Sequence, residues 1–345
     1  MPVGPKLPRD QYAHPGAPKE WWWHTGTLVA ADRVFGFEIN VSGVYDPDAP
    51  ADSFQYVELM VTDLKDNRHY QITNGLPWSN DWAQSDPSKP WYANLVAPDN
   101  SWGAYMASDL ATPDTMTVKA WFTDASGMYV PIELTLTQNG VPLFVWGTGV
   151  HEVDPTKTNP LERYNYYYSF TKLSASGTIG IDGIQYPVEG VTWMDHEYGG
   201  FATGMKWILQ DAQLNNGIHL SNFSTTTDVH EGIKIESNAT ILTLDGDSIF
   251  VKTFVTPLGP TWTDSVGITY CLTMLVEIPD CRASLTIESR FADQEFAAGP
   301  VYEGVAWVTG TWEGQDVSGT GWIEQVLQKP AAGPASAIAH LLNKA

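Results

Sequence analysis

Residues 176–196 read SGTIGIDGIQYPVEGVTWMDH, and residues 309–325 read TGTWEGQDVSGTGWIEQ. The second stretch is the first with shorter loops. Gly177-Thr178 meets Gly310-Thr311, and Val188-Glu189-Gly190 meets Val317-Ser318-Gly319. Trp193-Met194-Asp195 then meets Trp322-Ile323-Glu324 at the offset that relates Gly190 to Gly319. A weaker match pairs the hairpin pattern after Trp23 with the one after Trp207. Two β units of one plan follow, each containing a strand with a Trp-x-acid pattern, with a boundary near Gly199-Gly200. A repeat of this length is a duplicated barrel or sandwich rather than a solenoid.

Working outward, the same β pattern continues. Glu20 to Gly43 holds an apolar run, the turn-like Ala31-Asp32-Arg33, and an alternating run through Phe35, Phe37 and Ile39, a hairpin signal. Tyr56 to Thr62 alternates in the same way, and strand-like pieces recur at short spacing to Val326. Residues 74–95 are a long excursion carrying Trp78, Trp82 and Trp91, which reads as a flap over something apolar, with room for some helix in 74–112. The fold class expected is all-β, with helix only in a short tail. The expected division is a Pro- and Gly-rich arm at 1–19, a first barrel at 20–199, a second at 200–328, and a helical tail at 329–345.

Composition narrows the function classes. A chain of 345 residues that is 43% hydrophobic can bury a sizeable core without staples, either as two domains or as one large β domain. Fifteen Trp and 15 Tyr exceed what packing requires, and large aromatics suit wide strands and apolar pockets. A formal net charge of -22 argues against nucleic acid and against a polybasic membrane attachment. Cys271 and Cys281 flank Pro279-Asp280 asymmetrically, so they do not face each other across a hairpin, and their spacing is no metal motif. With few cysteines, no leader pattern and no apolar run of bilayer length, the chain is expected to be soluble and cytoplasmic.

Within the central stretch, strand alternation puts Trp193, Asp195 and Glu197 on one face and Met194, His196 and Tyr198 on the other. A carboxylate two residues from an indole, on a strand ending at Gly199-Gly200, can sit at the rim of an apolar cavity. Desolvation there raises its pKa and suits it to deliver a proton.

Three blocks together resemble the AttH and carotenoid 1,2-hydratase family. They are EWWWHTGTL from Glu20 to Leu28, Tyr167-Tyr168-Ser169 with GVTWMDHEYG, and YEGVAWVTG with GTGWIEQV. The resemblance spans about Glu20 to Val326 and implies two lipocalin-like antiparallel barrels packed side by side, with a hydrophobic ligand in or between them. It also implies hydratase or pericyclase chemistry, and it puts Asp195 at the proton donor's position with Trp193 as the neighbouring aromatic. After Glu324 the chain reads Gln325-Val326-Leu327-Gln328, a departure from the family's usual L-T-G-Y.

The chemistry expected is acid catalysis on an unsaturated, hydrophobic substrate such as a terpenoid or polyene, with Asp195 as donor. Trp193, Trp22 or Tyr168 would stabilise the cation, and His24 (or His151) would position water. Trp22, Trp146, Tyr166, Tyr168, Trp207 and Glu197 are the expected substrate contacts. No metal is expected: His196 points away from Asp195 and Glu197, and His151-Glu152 lacks a second histidine at helical spacing. There is no nucleophile elbow, dinucleotide fingerprint or P-loop, so no cofactor is expected. A pericyclase that acts by orientation alone, and a non-catalytic carrier, are the alternatives.

Overall fold

The computed structural model describes residues 3–202, 206–225, 229–296 and 301–327. It divides into two compact units: one holds the described residues up to Pro142 and Gly149–Ala202, the other Leu143–Thr148 and the described residues from Lys206 to Leu327. The short excursion Leu143–Thr148 is thus assigned to the second unit, which a linear division does not anticipate.

The strands in chain order begin with β1 (Lys19–Ala30), β2 (Arg33–Val44), β3 (Phe54–Asp63), β4 (Arg68–Pro77), β5 (Trp91–Val96) and β6 (Gly103–Asp109). There follow β7 (Thr112–Thr123), β8 (Tyr129–Gln138), the short β9 (Leu143–Phe144) and β10 (Val150–Glu152), then β11 (Tyr164–Ile181) and β12 (Ile184–Gly199). The second unit continues with β13 (Trp207–Leu214), β14 (His219–Thr225), β15 (Ile235–Leu242), β16 (Ser248–Thr263) and β17 (Thr269–Ile278). It ends with β18 (Ala283–Ser289), β19 (Glu295–Phe296), β20 (Val301–Trp312) and β21 (Gln315–Val326).

The first unit is a nearly closed antiparallel barrel in the order β4-β3-β2-β1-β12-β11-β8-β7-β6-β5. Trp91 of β5 reaches Trp22 of β1 across its interior, ring centroids 5.7 Å apart. The second unit is closed: β13 to β18 run as a meander, β18 pairs with β20, β20 with β21, and β21 returns to β13. Its interior is filled by Val255, Tyr270, Met274, Leu285, Tyr302 and Ile323, all fully buried.

The repeat read in the sequence is a repeat of backbone demands. Asp182-Gly183 and Glu313-Gly314 both turn their hairpins with positive φ at both central residues (54° and 76°, 52° and 80°), the geometry of a two-residue hairpin loop. At Gly177 a Cβ would stand 2.0 Å from the Glu133 carbonyl oxygen, and at Gly310 it would stand 2.1 Å from that of Ser284. Gly190 and Gly319 are likewise pressed on the carbonyls of Thr27 and Gln213, at 2.4 and 2.0 Å.

Two expectations need correction. Residues 10–12 do not stay outside as an arm. Asp10, Gln11 and Tyr12 are buried, and the Gln11 carbonyl accepts from Trp22 Nε1 at 3.1 Å, so a polar segment enters because an indole N–H needs a partner. No helix forms in 74–112: β4 runs to Pro77, β5 starts at Trp91, and the loop between them lays Trp82 against Trp22 at 5.5 Å. The helical tail expected at 329–345 lies outside the described residues. Both cysteines are free, and among the described residues no helix is long and apolar enough to cross a membrane.

Gly177→Ala and Gly310→Ala, one in each unit, are each expected to cost about 1–3 kcal/mol of stability, because backbone rather than a flexible side chain must yield. Urea denaturation of each variant against the parent checks this; unchanged midpoints would contradict the close approach.

Candidate active site

In an antiparallel ladder, directly opposed residues share a face. The registers of β11, β12, β1, β2 and β3 therefore lay out a grid. One row reads Ser169, Asp195, Trp23, Asn40, Glu58. The row on one side reads Tyr167, Glu197, Trp21, Ser42, Tyr56, and on the other Trp193, Thr25, Glu38, Met60. All these side chains stand on one face of the sheet. The opposite face of the same strands carries Trp22, His24, Leu28, Phe35, Phe37, Ile39, Val41, Val57 and Leu59, all fully buried in the barrel interior.

The first face is buried too, although it is polar: Thr25, Glu38, Asn40, Ser42 and Glu58 are all buried. Its acids are held by specific donors. Asp195 Oδ1 accepts from Ser169 Oγ at 2.5 Å and from Trp193 Nε1 at 2.8 Å. Burial pushes the Asp195 carboxyl up to about 6, against the opposing effect of hydrogen bonds from Ser169, Trp193 and Tyr167, which favour the anion. A little of the residue's surface remains open, but its carboxyl is deeply surrounded. Three strands away, about 14 Å at the usual strand spacing, burial raises Glu58 to about 7, with Asn40 Nδ2 donating to it at 2.9 Å. Trp21 and Trp23 meet edge to face at 6.3 Å on the same side of the sheet. The face thus offers two carboxyl groups whose affinity for a proton is raised toward neutral pH, one of them bonded to an indole.

Asp195, Trp193 and Glu197 are together on this face, as alternation requires. The other expected partners of Asp195 are not. Trp22, His24 and Tyr168 point into the barrel interior, so they cannot stabilise a cation or position water at Asp195. This corrects the grouping, and the cause is the two-residue period itself. His24 has no hydrogen-bond partner on either ring nitrogen, and burial drops its pKa to about 3, so it stands neutral in the core. Tyr166 stacks on Tyr198 at 4.9 Å, on the interior side. His151 lies on β10, opposite Asn165. Trp146 and Trp207 belong to the second unit, where the Trp146 backbone N–H donates to Thr240 Oγ1 at 2.9 Å and Trp207 Nε1 donates to Glu324 Oε1 at 2.6 Å. The residues missed are Trp21, Trp23, Glu38, Asn40 and Glu58. Their signal was the alternation of Glu38, Asn40 and Ser42 with Phe37, Ile39 and Val41, read without the partner strands that align them with Asp195.

The interior face carries its own polar group. His14 Nδ1 donates to Glu20 Oε1 at 2.8 Å, and His196 Nε2 lies 3.1 Å from the same oxygen. His14 is pushed up to about 9: burial opposes its charge, but the Glu20 carboxylate and hydrogen bonds to Asp10 and Glu20 outweigh it. Glu20 falls to about 2, because contacts with His14 and His196 overcome the effect of its burial.

This duplicated antiparallel barrel with an acid-bearing face defines the class, and the family follows from comparison. The profile of the AttH-like family matches residues 2–325, and the chain belongs to that family. The crystal structure of an AttH protein from Nitrosomonas europaea superposes with a TM-score of 0.69 at 20% identity, covering 95% of this chain and 99% of that one. Kievitone hydratase from Nectria haematococca superposes with a TM-score of 0.66 at 15% identity, covering 94% of this chain and 93% of that one. A search of curated sequences finds no significant match.

Because the native carboxyl of Asp195 is raised from 3.8 to about 6, the folded state holds the proton more tightly than the unfolded chain. That contribution to stability is complete below about pH 4 and is lost as pH rises through about 6. Asp195→Asn retains an acceptor for Ser169 and Trp193 but does not titrate. Its melting temperature relative to the parent should therefore rise between pH 4 and pH 8. A difference that stays flat across that range would show that the carboxyl is not held protonated.

Proposed function

We propose that the chain is a hydratase- or cyclase-type enzyme, a lyase or isomerase, that protonates a carbon–carbon double bond of a hydrophobic substrate such as a terpenoid or polyene. Asp195 is the acid. The observation that carries this reading is a carboxyl with a pKa raised to about 6, hydrogen-bonded by Trp193 and neighboured by Trp23 on the same sheet face. A carboxylic acid of that pKa is protonated in a useful fraction of molecules near neutral pH and is acidic enough to give the proton up. That the similarly folded kievitone hydratase is named for a hydration supports the reaction type; it does not define this chain's substrate.

In the hydration form, the Asp195 proton goes to one alkene carbon, and a water oxygen bonds to the other. The proton released from that water returns to the carboxylate, so the net change is the addition of one water. In the cyclisation form, an internal double bond or hydroxyl attacks the cation instead, and the proton then lost returns to Asp195. The faces of Trp193, Trp23 and Trp21 stabilise the intermediate charge, each by about 1–2 kcal/mol when desolvated. Glu58, raised to about 7 on the same face, is placed to hold or take a second proton. The scheme needs no organic cofactor.

Asp195→Asn, assayed against a panel of isoprenoids and polyenes by mass spectrometry for hydrated or isomerised product, should lose about 10²–10⁴-fold in turnover. Retained binding of the same compounds would show that the fold and the binding surface survive. Undiminished turnover would remove the acid mechanism and leave a reaction governed by substrate orientation alone.

A further inference from the structure

On the interior face of the first barrel, three side chains of metal-ligating type converge. Glu20 and His196 come from the paired strands β1 and β12, where Trp22 faces His196 and Glu20 faces Tyr198. His14 comes from the segment before β1, which folds back so that its backbone N–H donates to Glu20 Oε2 at 2.9 Å. His14 Nδ1 stands 2.8 Å from Glu20 Oε1, His196 Nε2 stands 3.1 Å from it, and one ligand atom of each residue lies within 4.8 Å of the others. In a tetrahedral zinc site with bonds of about 2.0–2.1 Å, adjacent ligand atoms are about 3.3 Å apart. The two histidine nitrogens facing Glu20 stand within about half an ångström of that spacing from its Oε1.

The surroundings are those that orient metal ligands. The far nitrogen of each histidine, not the one facing Glu20, has its own partner. His14 Nε2 lies 3.8 Å from Asp10 Oδ1, and His196 Nδ1 lies 3.0 Å from the Tyr168 hydroxyl. The Tyr168 contact favours the His196 tautomer whose Nε2 is free to ligate, whereas a metal ion would displace the proton that His14 Nδ1 shares with Glu20. Both rings are held flat against aromatics, His14 on Tyr198 at 3.5 Å and His196 on Trp22 at 4.5 Å. Glu20 and His196 are buried, while His14 keeps 16% of its side chain exposed and gives an ion a route in.

We propose that His14, Glu20 and His196 form a binding site for a divalent transition-metal ion of the zinc class, which pins the segment preceding β1 to the barrel. Two imidazoles and one carboxylate suit zinc, cobalt or iron rather than calcium or magnesium, and three protein ligands leave a position for water. The site is on the opposite sheet face from Asp195, so it stands or falls independently of the proposed acid chemistry.

The test titrates the full chain, stripped with a chelator, with zinc chloride by calorimetry, and separately with cobalt(II) by visible absorption. The expected result is one zinc per chain, a four- or five-coordinate cobalt spectrum, and a raised melting temperature with zinc. His14→Ala, which alters only the partly exposed ligand, should weaken zinc binding at least tenfold, and Glu20→Gln should do the same. A parent chain with no saturable zinc binding overturns the proposal whatever the variants do. So does one-site binding whose affinity and cobalt spectrum are unchanged in a folded His14→Ala chain.

Discussion

The strands β2 and β3 are buried on both faces over most of their length, and the two-residue period of a strand then forces each to present two unlike surfaces. FGFEINVSG does this over residues 35–43: Phe35, Phe37, Ile39 and Val41 fill the barrel, while Glu38, Asn40 and Ser42 line the reverse side, all of them buried. A slip of one residue would exchange the two sets, placing carboxylates in the hydrocarbon interior at a cost of several kcal/mol each. Register is therefore specified by chemistry on both sides. The separation of Asp195 from His196, neighbours in sequence and on opposite sheet faces, is the same constraint at the site.

Two acids of the polar face, Asp195 and Glu58, are met by donors and have raised pKa values. Asp195 takes an indole N–H and a serine hydroxyl, and Glu58 takes the Asn40 amide. Asn40 is itself engaged through its carbonyl oxygen by Ser42 Oγ at 2.7 Å, so the amide is oriented to donate. A buried carboxylate with too few donors avoids the ionic desolvation cost by staying neutral. The raised pKa values follow from burying these two carboxyl groups, which the hydrogen bonds each accepts offset only in part.

Much of the fold was legible because it is written in backbone requirements. The Asp182-Gly183 turn, its echo at Glu313-Gly314, and the glycines pressed on carbonyls leave marks at fixed positions that survive divergence of the side chains. The Trp-x-Asp strand was legible for the same reason: its alternation is local. Which other strands flank it was not. Trp23 stands opposite Asp195 only because Lys19 pairs with Gly199, a contact that spans half the chain and has no local signature. Asp10 and Gln11 lie in a Pro- and Gly-rich stretch, where polar residues read as exposed. Their burial depends on Trp22 and Tyr168 needing partners for an N–H and an O–H.

The two barrels show which parts of the plan are scaffold. Leu28 opposite Gly190 corresponds to Leu214 opposite Gly319, which fixes the equivalence of the paired strands. At the matched interior positions, Trp22 facing His196 becomes Ile208 facing Gln325, and His24 becomes Gln210. Gln325 is spent on the Cys271 backbone, donating to its carbonyl at 2.9 Å, and Gln210 accepts from Asn222 at 2.7 Å. Imidazoles have become amides, which hold hydrogen bonds but neither titrate nor favour a transition metal. On the opposite face the indole-to-carboxylate bond persists with its partners exchanged: Trp322 donates to Glu303 and Trp207 to Glu324, where Trp193 donates within its own strand to Asp195. The close-approach glycines and hairpin turns are kept in both units, while the histidines of the interior cluster are found in the first. The frame is thus duplicated, and the titratable interior cluster is not.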